Sequence, residues 1–152
     1  MTYTLGAKSL KALEGVHPNL VALVKDAIQT SREDFAVHEG LRSLETQKDY
    51  YNRGVSKTLA SKHLKQPDGF SHAVDLVPYV NGLLRWEWPL IYPIAASMQA
   101  ASIRLGIPLR WGGVWDRTMK EIIGPPKREC EEYAKRHPGP DFLDGPHFEL
   151  VK

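Results

Sequence analysis

Hydrophobic residues recur at helical spacing in two long stretches of the chain. Between Pro18 and Thr30 the apolar positions fall three or four residues apart, and the proline lies in a first turn, where its missing N–H is tolerated. From Pro89 to Leu105 an Ala-rich apolar pattern indicates a buried helix. The chain is therefore expected to place two apolar-faced helices in its core.

Two more helices are predicted from polar segments. The stretch from Ser43 to Thr46 begins a polar helix that runs towards Gly54. Residues 127–136 suit an exposed helix, because prolines precede them and a Pro-Gly-Pro cluster at 138–140 follows. Residues 55–70 are rich in Ser, Lys, Gly and Pro without periodicity, which is typical of a loop.

Short alternating or apolar runs predict the strands, at residues 35–37, 72–77, 107–111 and 146–151. In the last run His147 and Glu149 share one face, because the side chains of a strand alternate. Helices and strands alternate irregularly along the chain. This order favours an α+β fold: one small domain over residues 1–152, with a short mixed or antiparallel sheet and flanking helices.

Composition narrows the chemistry. A chain of 152 residues with 42% hydrophobic residues can bury one core but hardly two. The lone Cys130 excludes an internal disulfide and a thiolate zinc cluster, so a metal site would need histidines and carboxylates. A net charge of +2 with scattered basic residues argues against a nucleic-acid partner. Without a signal-peptide pattern or a membrane-spanning run, we expect cytoplasmic synthesis and no membrane insertion.

Asp75 and His147 are unusual because each lies in an apolar strand. An ionised carboxylate such as Asp75 is costly there unless it is paired or bound to a cation. His147 follows Asp144 by three residues across a Gly-Pro turn, so the two can converge. With His63 from the loop, the set offers two imidazoles and one carboxylate, which leaves a zinc ion a fourth position for water. Asp144 could then accept a proton from that water.

A purely structural interpretation of these residues stays open at this point. Asp75 could pair with Arg42 or Arg110 in a buried salt bridge, and Asp144 could merely shape a turn. Spacing alone does not separate the two interpretations.

Three short motifs resemble one enzyme family. Ser61-Lys62-His63, the HAVD of residues 72–75 and the DGPHFEL of residues 144–150 resemble the signature of the zinc D-alanyl-D-alanine carboxypeptidase and L-alanyl-D-glutamate endopeptidase family, which includes many bacteriophage endolysins. The resemblance implies a Hedgehog/D,D-peptidase-like fold. It implies three zinc ligands: His63, Asp75 and His147.

The same resemblance implies roles for four further residues. Asp144 would be the catalytic base, and Arg42 would polarise the scissile carbonyl and stabilise the oxyanion. Ser61 would support the ligands by hydrogen bonding, and Gln47 would have a substrate-side role.

The segment between His63 and Asp75 is five residues longer than in the compact family signature. His72 is therefore a competitor for the first ligand position. It precedes Asp75 by an odd number of strand positions, so their side chains point to opposite faces, and His63 is favoured. The extra residues around Pro67-Asp68-Gly69 are expected to form an enlarged loop at the rim of the cleft.

The leading functional hypothesis is a monomeric zinc endopeptidase that cuts the peptidoglycan stem peptide, at the L-alanyl-D-glutamate bond. As a phage endolysin without a signal peptide, it would be made in the host cytoplasm and would act on the periplasmic wall after membrane disruption. Two alternatives stay open. One is a D,D-carboxypeptidase or dipeptidase that trims terminal D-alanine, and the other is a non-catalytic zinc module that binds the wall.

Overall fold

The computed structural model describes residues 2–56, 58–138 and 143–151. In this part of the chain five helices and five strands follow one another in the order α1 (Ala7–Ala12), α2 (Pro18–Thr30), β1 (Phe35–Glu39), α3 (Leu44–Asn52), β2 (Ala73–Val80), β3 (Leu83–Leu84), α4 (Trp88–Leu105), β4 (Leu109–Trp111), α5 (Pro126–Arg136) and β5 (His147–Leu150). All predicted helices and strands are present, with α2 at its predicted bounds. Residues 139 and 140 of the Pro-Gly-Pro cluster that was expected to end α5 lie outside the described residues.

The strands form an antiparallel sheet in the order β1-β2-β5-β4, and β3 pairs with β2 beside this path. Its central strand β2 lies between β1 and β5, so Asp75 is the register partner of both Glu39 and His147. Every pairing between these named strands is antiparallel. Of the two predicted kinds of sheet, mixed or antiparallel, the structure therefore has the antiparallel one. The α+β prediction is confirmed.

The core lies between the sheet and the two helices predicted to be most apolar. Helix α2 packs against α4, and α4 packs against β2 and β4. The largest fully buried apolar side chains include Leu20, Leu23, Ile94, Met98, Trp111 and Phe148. Burial of each such side chain contributes about 1.5–3 kcal/mol, so this packing holds β2 and β5 in fixed positions.

Two elements were not predicted. Helix α1 has six residues and no long periodicity, but Ser9 Oγ accepts a hydrogen bond from the N–H of Val37 at 3.0 Å and ties it to β1. Strand β3 is exposed and follows a turn at Asn81 and Gly82, which have φ angles of 53° and 79°. Two successive positive φ angles are the signature of a tight hairpin turn. Among the described helices none is long and apolar enough to cross a membrane.

Candidate active site

Two neighbouring strands and one loop bring the predicted metal ligands together. Asp75 on β2 and His147 on β5 are register partners, so they lie side by side on one face of the sheet. His63 comes from the loop before β2. Its N–H donates to Ser61 Oγ at 3.1 Å, and its carbonyl accepts from the N–H of Arg42 at 2.9 Å. The backbone therefore fixes the loop where the His63 ring can reach Asp75.

We call His63, Asp75 and His147 the inner cluster. His63 Nε2 lies 3.2 Å and His147 Nδ1 lies 3.5 Å from Asp75 Oδ1, and one ligand atom from each residue lies within 4.8 Å of the others. Ligand atoms about 2 Å from a tetrahedral zinc ion lie about 3.3 Å apart. The spacing of the inner cluster therefore suits a small metal ion.

Each inner histidine has its second ring nitrogen engaged by an acceptor. His63 Nδ1–H donates to the carbonyl of Gly40 at 2.8 Å, and His147 Nε2–H donates to Glu149 Oε1 at 2.9 Å. The remaining nitrogens, His63 Nε2 and His147 Nδ1, then present lone pairs towards an oxygen of Asp75 that can only accept. The lone pairs and the carboxylate oxygen repel one another unless a cation, either a proton or a metal ion, lies between them. Histidine ligands whose second ring nitrogen donates to an acceptor are common in protein metal sites.

The charges of the inner cluster support each other. Burial alone would raise the pKa of Asp75, but hydrogen bonds from His147 and His63, which require a proton on the ring nitrogens that face Asp75, outweigh it and hold that pKa well below its usual range. Burial alone would lower the pKa of His147, but Asp75 and Glu149 raise it to about 9 in the metal-free protein. The ring site on His147 is thus a strong base, for which a metal ion and a proton compete.

Asp144 faces the same cleft as the inner cluster. Burial, with the nearby charge of Asp75, raises the pKa of Asp144 to about 6, which is the range of a general base that works near neutral pH. Gly112 fixes its backbone: the Asp144 N–H donates to the carbonyl of Gly112 at 2.9 Å. A Cβ on Gly112 would lie 2.1 Å from the Asp144 carbonyl oxygen, so only glycine permits this approach.

Arg42 lies beside the inner cluster and is held from several sides. Its Nη2 contacts Glu39 and lies 3.9 Å from Asp75 Oδ2, and its guanidinium stacks 4.7 Å from the centre of the Tyr50 ring. Its Nη1 donates to Gln47 Oε1 at 2.7 Å. The predicted Asp75–Arg42 contact therefore exists, but alongside both histidines and not in place of them.

Gln47, for which the resemblance implies a substrate-side role, lies in the interior beside Arg42. Its side chain is fully buried, and its Nε2 donates to Thr58 O at 2.6 Å and to Ser56 Oγ at 3.0 Å while its oxygen binds Arg42. An amide whose two ends are both engaged in the interior is not available to a substrate. Gln47 instead orients the guanidinium of Arg42. Ser61, predicted as a hydrogen-bonding and substrate-binding residue, lies in the cleft, where its Oγ accepts a hydrogen bond from the His63 N–H.

The five-residue extension leaves His63 next to Asp75 as expected, but it does not lie at the rim of the cleft. The structure brings His63, not His72, next to Asp75, and His72 Nε2–H donates to Asp68 Oδ2 at 2.7 Å on another side of the molecule. Of the described residues that line the cleft, none belongs to 64–71. The expectation of a loop at the cleft rim was therefore wrong: backbone hydrogen bonds tie Ser71 to Gly15 and His17 instead.

Several residues of the site were not singled out by the sequence. Glu149 was placed on the face of His147 by strand alternation, but only the structure shows the hydrogen bond between them. Trp86 and Trp115 line the cleft, and the Trp115 ring centre lies 5.3 Å from that of His147. The two tryptophans come from segments without a motif, so sequence offered no signal for their role.

Known proteins resemble this chain along almost its whole length. The chain matches the model of the phage L-alanyl-D-glutamate peptidase family over residues 1–151. It is 29% identical to the L-alanyl-D-glutamate peptidase of Escherichia phage T5, over 99% of this chain and 100% of that protein. The crystal structure of the Serratia marcescens L-Ala D-Glu endopeptidase ChiX superposes with a TM-score of 0.72 and 32% identity, covering 99% of this chain and 90% of that one. The chain therefore belongs to the phage L-alanyl-D-glutamate peptidase family.

Proposed function

We propose that this protein is a zinc endopeptidase that hydrolyses the L-alanyl-D-glutamate bond of the peptidoglycan stem peptide. The observation that carries the proposal is the inner cluster beside a spare, partly buried carboxylate, Asp144, in one open cleft. A structural zinc site usually closes its fourth position with a protein ligand and has no use for a base next to it. Membership of the phage L-alanyl-D-glutamate peptidase family indicates which peptide bond is cut.

Zinc fits the donor set of the inner cluster. Two imidazole nitrogens and one carboxylate oxygen are a common ligand set of catalytic zinc sites. Zinc held by His63, Asp75 and His147 would act as a Lewis acid and lower the pKa of a water molecule. Gly40 and Glu149 would keep the two rings in the tautomers that this binding requires.

Asp144 and Arg42 would supply the remaining chemistry. The Asp144 carboxylate accepts the proton of the attacking water and then delivers it to the leaving amine, which is the task of a base whose pKa lies near neutrality. The Arg42 guanidinium, fixed by Gln47 and Glu39, donates hydrogen bonds to the oxyanion as it forms. Ser61 holds His63 through its backbone and contacts no reacting atom in this scheme.

The cleft offers a stem peptide both charged and apolar surfaces. Arg53 and Lys62 place positive charges along its lining, and Trp86 and Trp115 provide apolar walls. The alanine of an L-alanyl-D-glutamate unit has a methyl side chain and the glutamate carries a carboxylate, so both kinds of surface would be used. Cation and aromatic groups together favour binding of the extended substrate across the inner cluster.

Hydrolysis of purified peptidoglycan by the zinc-loaded protein tests the proposal. Asp144→Asn should retain one zinc at the inner cluster yet lose about 10²–10⁴-fold in rate, because it removes the general base but no ligand. Asp26→Asn, a surface change beside Arg104, is the matched control and should keep full activity. Full hydrolysis by Asp144→Asn would reject the mechanism, and no hydrolysis by the zinc-loaded native protein would favour a wall-binding module.

Mass spectrometry of the same digests identifies the bond. A cut between L-alanine and D-glutamate leaves a free glutamyl amine, whereas a carboxypeptidase releases D-alanine. We expect the first product. Release of D-alanine alone would replace the endopeptidase by a D,D-carboxypeptidase that uses the same residues.

We also propose that the enzyme works as a monomer on the wall side of a breached membrane. His63, Asp75 and His147 of a single chain already offer ligand atoms within 4.8 Å of one another, so the inner cluster can be assembled without a second copy. Light scattering should give the mass of one chain. Bacteria that express the protein should stay intact until their membrane is permeabilised; lysis without permeabilisation would contradict this location.

A further inference from the structure

A second group of two histidines and one aspartate lies outside the cleft. We call His17, Asp68 and His72 the outer cluster. His72 Nε2 lies 2.7 Å and His17 Nε2 lies 3.7 Å from Asp68 Oδ2, and one ligand atom of each residue lies within 4.8 Å of the others. These two distances lie on either side of the ligand spacing of about 3.3 Å around tetrahedral zinc. A shift of a few tenths of an ångström would therefore suit a metal ion.

The donors of the outer cluster are held in place by their surroundings. Asp68 Oδ1 accepts a hydrogen bond from the Phe70 N–H at 3.1 Å, so Oδ2 is the oxygen left for the histidines. The His17 ring packs edge-on against the rings of Phe70 and His72, with centres 5.6 Å and 5.3 Å away. The backbone N–H of His17 donates to the Ser71 carbonyl at 2.9 Å. A site whose ligands are already oriented loses less entropy on binding.

We propose that the outer cluster is a second site for zinc or a similar divalent transition-metal ion. Imidazole nitrogens and a carboxylate select ions of this class over calcium or magnesium, which prefer oxygen ligands. The His72 side chain is 9% exposed and that of Asp68 is 41% exposed, so the site is anchored in the protein on one side and open to water on the other. Water would complete the coordination.

Metal binding at the outer cluster competes with the hydrogen bond by which His17 caps α2. His17 is the N-cap of α2, and its Nδ1 accepts from the Asn19 N–H at 3.0 Å. The neutral ring must then carry its proton on Nε2, the atom aimed at Asp68. Metal binding at Nε2 moves the proton to Nδ1 and breaks the cap, which weakens binding by roughly 5-fold to tenfold. The site is therefore weaker than the inner cluster and releases protons when it fills.

Occupation of this site would cross-link two parts of the chain. His17 lies at the start of α2, whereas Asp68 lies at the tip of the extension between His63 and β2. A bound ion would join them in addition to the backbone contacts through Ser71. The extension would then owe its position to metal as well as to hydrogen bonds.

Zinc titration of protein already loaded with one equivalent tests this proposal. The native protein should take up a second equivalent. His17→Asn should lose at least tenfold in affinity for that equivalent while it keeps its N-cap, because Asn caps helices well but has no imidazole. His72→Gln should lose it as well, and both variants should hydrolyse peptidoglycan normally. His137→Gln is the matched control: it removes a histidine that pairs with Asp116 and belongs to neither cluster.

A spectroscopic signal distinguishes this site from loosely bound surface zinc. In ¹⁵N-labelled protein the Asn19 amide resonance should shift with the second equivalent, because the cap is broken, and the ring nitrogens of His17 should exchange protonation. Failure of the native protein to bind a second equivalent at about 100 µM free zinc would overturn the proposal. Unchanged second-site affinity in His17→Asn and His72→Gln would also overturn it. Both of these results concern only binding of the second zinc ion. The proposed peptidase function is tested by hydrolysis of peptidoglycan and can fail independently.

Discussion

The inner and outer clusters have the same composition, two histidines and one aspartate, but their surroundings differ. In the inner cluster the side chain of Asp75 is 16% exposed, whereas in the outer cluster that of Asp68 is 41% exposed. The inner histidines donate outward to Gly40 and Glu149, which turns their lone pairs towards Asp75. The outer histidines instead direct N–H groups at Asp68, so that carboxylate is already satisfied without a metal.

This difference shows that ligand identity alone does not make an active site. Acceptors behind the rings set the tautomers, and through them the preference for a cation. The inner cluster also has Asp144 and Arg42 within the same cleft, which would supply the base and the oxyanion donor of the proposed mechanism. Among the described residues that form the outer cluster there is no comparable spare carboxylate, because Asp68 is itself the ligand. The first geometry supports catalysis and the second supports binding only.

The largest effect is expected when the two aspartates are compared by the same substitution. Asp75→Asn removes the anionic ligand of the inner cluster, so tight zinc binding and peptidoglycan hydrolysis should both be lost. Asp68→Asn should leave both intact and abolish only the weaker second equivalent. Zinc analysis after dialysis and turbidity assays measure these outcomes, with circular dichroism to verify folding. Equal loss of hydrolysis in both variants would remove the distinction between the clusters.

A smaller effect is expected from the acceptor behind His147. Glu149→Gln keeps the size of the side chain but removes the charge that accepts the His147 Nε2–H bond. Zinc affinity of the inner cluster should fall by about 10–100-fold, with hydrolysis restored at high zinc. Competition with a fluorescent chelator measures the affinity. Unchanged affinity would mean that the lone-pair argument for the inner cluster is wrong.

The smallest effect concerns a carboxylate that contacts only one imidazole and belongs to neither cluster. A hydrogen bond from Arg136, assisted by His137, lowers the pKa of Asp116 from 3.8 to about 2. The stabilisation is fully present above about pH 4 and is lost as the pH falls towards 2. Asp116→Asn should therefore cost under about 1 kcal/mol of unfolding free energy at pH 7, and this cost should shrink as the pH falls towards 2 and vanish below it.

Urea unfolding of native protein and Asp116→Asn at several pH values checks this expectation. Zinc stoichiometry should be the same in both proteins. A change in stoichiometry would show that contacts between carboxylate and imidazole outside the two clusters also bind metal, and would weaken the contrast between them.

The regular elements of the fold could be read from the sequence because each has a local cause. Helix α2 was predicted at its observed bounds from apolar spacing and a first-turn proline. The same reasoning missed α1, whose six residues have little periodicity and which is tied to β1 by a contact between Ser9 and Val37, 28 positions apart. Long-range contacts of this kind are absent from a local pattern.

The sequence by itself determined the α+β architecture and, together with the family resemblance of its motifs, predicted His63 in preference to His72 and the candidate set of Asp75, His147 and Asp144. Strand alternation and the cost of a buried charge act on a few neighbouring residues, so they can be reasoned along the chain. Only the tertiary structure shows that Gln47 is buried and hydrogen-bonded to Arg42, and that the extension turns away from the cleft to join His17. These arrangements depend on side-chain hydrogen bonds between distant segments, whose partners become defined only when the sheet and helices have packed.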